Sequence, residues 1–183
     1  METLTGHLLI ASPQIGDPRF ERTVVLIMHH DEEGAYGVVL NRPMAETVRS
    51  LWQKLGDATC TIERNINLGG PVSGPIIALH CRQSAAEFEV HPGLYVAEQK
   101  KHIKQLVNSP DGPLRIFIGH ASWDEGQLEN ELSHGSWLTL PAKADYVFHD
   151  EDDLWVTAMR EVGREFCETV LGIENFPADV SLN

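Results

Sequence analysis

The stretch from Thr23 to Pro43, TVVLIMHHDEEGAYGVVLNRP, limits what this chain can fold into more than any other. Thr23 to Met28 is one β-branched and aliphatic run with no polar alternation after its first residue. Side chains in a strand point alternately to opposite faces, so such a run suits a strand covered on both sides. Asp31-Glu32-Glu33-Gly34 breaks it, and Gly34 is free to take the positive φ that a short hairpin loop needs. The chain returns through Ala35 to Leu40, where Val38-Val39-Leu40 is again apolar on both faces. Asn41-Arg42-Pro43 closes the return with two polar side chains and a residue that cannot continue a ladder. A central hairpin with a polar exit is the expectation.

The remaining pattern hangs on that hairpin. Leu4 to Ala11 reads as a first strand stopped by Pro13, and Gln14 to Arg22 as a polar loop leading into the hairpin. Val48, Leu51, Trp52 and Leu55 fall at i, i+3, i+4 and i+7, one apolar helical stripe, with Pro43 near the first turn and Gly56 at the end. Asp57 to Asn67 holds at most a short strand near Ile66. Ile76 to Arg82 reads as a strand. Phe88 to Val90 and Leu94 to Val96 pair around His91-Pro92-Gly93, and Glu98 to Asn108 reads as a helix. Leu114 to Gly119 is a further buried strand, and Gly126 to Ser133 a short helix. Trp137 to Leu140 and Tyr146 to His149 read as strands separated by Pro141. The last helix spans Asp152 to Leu171. Trp155, Met159, Val162, Phe166 and Val170 form its stripe, and Asp150 to Asp153 lie at the positive end of its dipole. With no internal repeat, low-complexity tract or linker, the pattern predicts one α+β domain over residues 1–183.

Charge narrows the partners. Lys and Arg number 14 against 27 Asp and Glu, for a formal charge of -13. Affinity for nucleic acid rests largely on neutralising phosphates, so direct DNA or RNA binding is disfavoured, and anionic membranes by the same argument. No run approaches the length needed to cross a bilayer. The opening METLTGHLLIASP has only four consecutive apolar residues and no basic start, so no signal sequence is expected. Cys60, Cys81 and Cys167 lack the spacing of a zinc ribbon or redox pair and are expected to be reduced. A soluble cytoplasmic protein is the expectation.

Several stretches carry candidate chemistry. Asn41-Arg42-Pro43 sets an amide and a guanidinium on a rigid turn, and Arg42 can hold a carboxylate or phosphate through its planar fork. The competing reading pairs Arg42 with one of the many acids. Gly69-Gly70-Pro71-Val72-Ser73-Gly74-Pro75 lacks the Gly-Lys-Ser/Thr ending of a phosphate loop, and its prolines remove two donors, so a tight turn explains it better. His29 and His30 project to opposite faces of one strand and cannot easily share a metal. His80 reads as a core histidine with one hydrogen bond. His120, Ser122 and Asp124 supply the residue types of a hydrolase, but the GxSxG elbow is absent and residues two apart project in parallel. Asp124 is expected instead to cap the following helix, and Trp123 to pack in the core or wall a pocket.

Gly16-Asp17-Pro18-Arg19-Phe20-Glu21-Arg22-Thr23-Val24-Val25-Leu26-Ile27 followed by Gly34-Ala35-Tyr36-Gly37-Val38-Val39-Leu40-Asn41-Arg42-Pro43 resembles the YqgE/AlgH family of bacterial proteins. Leu68-Gly69-Gly70-Pro71-Val72, Leu79-His80, Gly126 to Leu132 and Trp137 extend the resemblance over nearly the whole chain. It implies a bifurcated, mostly antiparallel sheet folded into a pseudo-barrel with flanking helices. It implies no reaction, since the family has no established biochemical activity; its name reflects a proposed role in regulating alginate production. Where the family more often shows Gly-Tyr-Ala-Gly-Trp, this chain has His120 for the tyrosine and Ser122 for the glycine. The favoured expectation is a non-enzymatic module binding a protein or small ligand through Asn41, Arg42, Pro43, Gly69, Gly70, Trp123 and Gln127, without cofactor or metal. The alternatives are a hydrolase using His120, Ser122 and Asp124, and a transcriptional regulator acting on DNA. The expected place for the site is where Asn41-Arg42 meets the Gly119 to Gln127 turn, because sheet interiors apolar on both faces leave recognition to strand ends.

Overall fold

The computed structural model describes residues 3–56, 59–109, 111–148 and 153–171. His7–Ala11 (β1), Val24–Asp31 (β2) and Gly34–Val39 (β3) run antiparallel side by side, with Leu9 opposite Val25 and Leu26 opposite Val38. Val24 to Met28 are almost fully inaccessible, as a run with no polar alternation requires. His29 is exposed and His30 buried, the alternation the strand imposes.

Pro43–Thr47 (β4), Val48–Lys54 (α1), Asn65–Leu68 (β5) and Val72–His80 (β6) follow. Phe88–His91 (β7) and Leu94–Ala97 (β8) form the second hairpin, and Lys100–Asn108 (α2) leads to Leu114–Asp124 (β9). Gln127–Ser133 (α3), Trp137–Pro141 (β10), Ala144–Phe148 (α4) and Leu154–Leu171 (α5) complete the order. The fold is α+β: one mostly antiparallel sheet, ordered β10-β1-β2-β3-β9-β6-β8-β7, curls into a pseudo-barrel flanked by five helices.

The long strand β9 is where the sheet divides. One of its edges pairs antiparallel with β6. Its other edge takes β5, in parallel, at Phe117 and Ile118, then β3, antiparallel, from Ala121 to Asp124. Gly69 bridges the fork: its N–H donates to the Ile118 carbonyl at 2.8 Å and its own carbonyl accepts from Val39 N–H at 2.8 Å. A Cβ at Gly69 would lie 2.2 Å from the Gly119 oxygen, and one at Gly70 would lie 2.2 Å from the His120 carbonyl carbon. These two positions bring backbone against backbone.

Three apolar clusters fill the layers. Leu8, Leu26, Val38 and Phe117 pack beneath α5 through Leu154 and Ala158. Trp52 of α1 and Ile103 and Leu106 of α2 cover Ile66 and Ile116. Leu128 of α3 joins Leu9, Val25, Ile27, Trp123 and Trp137.

Four local expectations are corrected. Pro43 begins a strand, a position that needs no N–H in the ladder, and α1 starts only at Val48, where the Thr47 hydroxyl accepts from Ser50 N–H at 3.1 Å. Strand β9 runs on to Asp124 because β3 pairs with its second half. Tyr146 to Phe148 belong to a helix: Arg115 donates to the Val147 carbonyl and Arg64 to the Phe148 carbonyl, each at 2.8 Å, satisfying the last turn of α4. Phe166, expected in the stripe of α5, is 56% exposed. His149 and Asp150 to Asp152, including the expected start of the last helix, lie outside the described residues, as does the side chain of Val170.

Candidate functional site

The polar exit of the hairpin is built by Asn41. Its side-chain oxygen accepts from Val24 N–H at 2.9 Å and its amide donates to the Arg22 carbonyl at 2.8 Å, tying the Gln14 to Arg22 loop to the end of the return strand. Arg22 itself takes φ +53, a left-handed conformation uncommon for a side chain branched off Cα. The bond on its carbonyl holds it there. Its guanidinium then lies 5.1 Å from the centre of the Trp155 ring, and the Trp155 indole is fixed by donating to the Ala11 carbonyl at 2.7 Å. Arg42 donates to the Glu21 carbonyl.

These groups line a cleft of about 390 Å³ formed by Glu21, Arg22, Asn41, Arg42, Asp153 and Trp155 together with Pro18 and Val156. Glu21 and Asp153 share the wall, yet neither guanidinium has a carboxylate within ion-pair distance among the described residues. In a chain with about two acids for every base, two arginines in one cleft with no acid partner among the described residues are unusual. Pro43 stands next in sequence, exposed on β4.

A second cavity, of about 280 Å³, lies on the other side of the same loop and holds Trp123 and Gln127. Its floor is the Glu131 carboxylate, one oxygen of which accepts from both indoles, Trp123 at 2.9 Å and Trp137 at 2.7 Å. The other oxygen accepts from the Gln127 amide at 2.8 Å. Phe20 stacks on Trp123 and meets Trp137 edge-on. At the rim, Arg19 pairs with Asp17 at 2.6 Å, and that hydrogen bond pulls the Asp17 carboxyl below its ordinary range.

Arg42 and Trp123 therefore line different cavities, and the expected meeting of the two ends in one pocket is corrected: the Gly16 to Arg22 loop is the wall between them. Gly69 and Gly70 sit at the sheet fork against the backbone of β9, and the cleft is lined by neither. Gln127 bonds back to Asp124 N–H at 3.1 Å, whereas α3 begins at a left-handed Gly126, so the expected capping by Asp124 is replaced by a bond to its own backbone.

His120, Ser122 and Asp124 occupy alternate positions of β9 and project in parallel. His120 is half-buried with its ring edge-on to Tyr36, Ser122 and Asp124 are exposed, and no hydrogen bond joins any two of the three. Proton transfer between them has no path. His30 accepts Leu4 N–H on Nδ1 at 3.0 Å, so its Nε2 carries the proton given to Glu129 at 2.7 Å. His80 accepts Arg82 N–H on Nδ1 at 3.1 Å, and burial depresses its pKa to about 4. Among the described residues no three His, Cys, Asp or Glu side chains are gathered to hold a metal, and no helix is long and apolar enough to cross a membrane.

Sequence reasoning missed Arg22, Phe20, Glu131 and Trp155. Glu131 stands four residues after Gln127 on one helix, a spacing that places the two side chains together. The indole of Trp155 reaches the cleft from the far end of the chain, and no local pattern marks it.

Comparison with known proteins places the chain in a wider group. A family model described as AlgH-like matches residues 8–167. A UPF0301 protein of Chlorobaculum tepidum is 37% identical over 169 residues, covering 88% of each chain. One of Myxococcus xanthus is 37% identical over 178 residues, covering 94% of this chain and 98% of its own. The solution structure of the AlgH protein of Pseudomonas aeruginosa superposes with a TM-score of 0.75 at 28% identity, over 97% of this chain and 100% of that one.

Proposed function

The chain belongs to the AlgH-like family, and from that premise we propose that it is a non-enzymatic binding module whose site is the Arg22–Arg42 cleft. The occupant is an anionic group, a carboxylate or phosphate, carried by a small molecule or presented by a partner protein. The observation that carries this reading is the pair of guanidinium groups in one cleft, neither engaged by a carboxylate among the described residues. Planar forks of this kind bind carboxylate and phosphate through paired hydrogen bonds. The Trp155 ring, held by the Ala11 carbonyl, gives the cleft an apolar wall, and Asn41 fixes the loop that carries Arg22. Pro18, Glu21, Arg22, Asn41 and Arg42, which all carry the sequence resemblance, come together here from two separate stretches. The regulatory role implied by the resemblance fits a site that binds without turnover, and three unpaired cysteines fit a reducing cytoplasm.

Thermal unfolding with pyrophosphate and citrate tests the proposal. A ligand at a hundred times its Kd stabilises by about 2.7 kcal/mol, which raises Tm by about 5–11 °C in a chain of this size. The rise is expected in the wild type and lost in Arg22→Ala and in Arg42→Ala. A rise that persists in both variants, or no rise with either anion, refutes it.

A further inference from the structure

The second cavity gathers aromatic rings from three separate stretches of chain. Phe20 comes from the Gly16 to Arg22 loop, Trp123 from the far half of β9 and Trp137 from the first position of β10. Their ring centres stand 6.2, 5.5 and 5.9 Å apart, so one group seated against them can lie within about 6 Å of all three, the reach of a cation–π contact. Ile15, Pro71 and Val72 add to the apolar lining, and Val72 is left 38% exposed. The charged and amide groups of the cavity are already engaged with one another. Arg19 gives Nε and Nη2 to the two Asp17 oxygens. Both indole N–H groups and the Gln127 amide donate to Glu131, and the Gln127 oxygen accepts from Asp124 N–H. Ser122 and Ser136 contribute only neutral hydroxyls. What stays unbalanced is charge: Glu131 takes three neutral donors and has no cation partner among the described residues. Donation to an anion also polarises each indole and makes its ring face more negative.

We propose that this cavity binds a methylated organic ammonium, its methyl groups against Phe20, Val72 and the two tryptophans and its positive charge facing Glu131. An anion finds no free charged donor there, since Arg19 is committed to Asp17. A neutral apolar ligand would strip water from the Glu131 carboxylate and leave its charge uncompensated, whereas a cation compensates it. Methylation matters because a primary ammonium is compact, strongly hydrated and carries three N–H groups that need acceptors, and both carboxylates here already hold donors. A volume of about 280 Å³ lies just under the range of about 300–1,000 Å³ usual for drug-sized ligands, which suits a small headgroup. The site shares no residue with the Arg22–Arg42 cleft.

Titration of the full chain with choline at constant ionic strength, followed by the indole N–H signals in nuclear magnetic resonance spectra, tests this. The Trp123 and Trp137 signals should shift and those of Trp52 and Trp155 should stay. The neutral isostere 3,3-dimethyl-1-butanol and the primary amine ethanolamine should each bind about tenfold more weakly than choline. Glu131→Gln, which keeps an acceptor for the indoles and removes the charge, should weaken choline about tenfold, and Phe20→Leu about fivefold. No shift of the Trp123 and Trp137 signals with choline, 3,3-dimethyl-1-butanol or ethanolamine equal to choline, or full choline affinity in both Glu131→Gln and Phe20→Leu overturns the proposal.

Discussion

Replacing Glu131 probes the second cavity most directly, because one carboxylate satisfies three donors there. Two are indole N–H groups of Trp123 and Trp137, side chains only 5% and 3% exposed, so neither donor can turn to bulk water. The third, the Gln127 amide, is exposed and loses little. Glu131→Ala strands the two indoles. A buried donor left without a partner costs about 1–3 kcal/mol, and water entering beside the half-exposed position 131 offsets part of it, so about 3 kcal/mol is expected for the pair. That corresponds to a fall in Tm of about 6–12 °C in a chain of this length. Glu131→Gln keeps one oxygen for both indoles and loses only the charge assistance and the bond to Gln127, about 1 kcal/mol. Urea unfolding followed by far-UV circular dichroism measures both, since fluorescence would report the perturbed tryptophans themselves. Glu131→Ala within about 0.5 kcal/mol of wild type, or Glu131→Gln as costly as Glu131→Ala, would show that the indoles find other acceptors and that the carboxylate does not organise the cavity.

Gly69→Ala forces a Cβ to 2.2 Å from the Gly119 oxygen, backbone against backbone at the sheet fork; a loss above about 3 kcal/mol is expected in the same assay, while Gly16→Ala, with open space around it, changes little. His80 is held neutral down to about pH 4, so the unfolded chain binds the extra proton between its own pKa near 6.5 and that value. Stability attributable to His80 is complete above about pH 6.5 and is lost as pH falls toward 4, by roughly 3 kcal/mol; the urea midpoint of His80→Gln should therefore fall less steeply with acidification than that of wild type, and equal slopes would contradict the assignment. Ser122 should stay unlabelled by a fluorophosphonate probe, and adduct formation there by mass spectrometry would revive the hydrolase reading.

The hairpin and the helices that cover it were legible because burial on both faces leaves a mark on every residue of a run. Val24 to Met28 show it without a gap, and Trp52, Leu128 and Trp155 sit on the stripes their spacing implied. What stayed hidden was set by partners distant in sequence. Tyr146 to Phe148 lie in the helix Ala144–Phe148 where they read as a strand, and the groups closing that helix come from Arg64 and Arg115. Strand β9 outruns its apolar stretch because β3 is there to pair with Ala121 to Asp124. Local pattern carries no record of either.

The cleft shows the same division between what one residue announces and what only an arrangement supplies. Arg42 was readable as a donor at a strand end, but a single exposed arginine in an acidic chain has many possible partners and so says little. Its meaning changes once Asn41, bonded to Val24 N–H and to the Arg22 carbonyl, draws the loop across and sets a second guanidinium on the Trp155 ring. That amide uses its hydrogen-bonding capacity on backbone groups rather than on a ligand, so Asn41 belongs to the scaffold of the cleft more than to its contact surface. The same bonding explains why the loop divides the two cavities instead of joining them: with its carbonyl at Arg22 tied to one end and Phe20 wedged between Trp123 and Trp137 at the other, it is anchored on both sides. Residues of this one loop line both cavities. A ligand that moved this loop at Arg22 would act on Phe20 two residues away, and through it on the packing of both tryptophans.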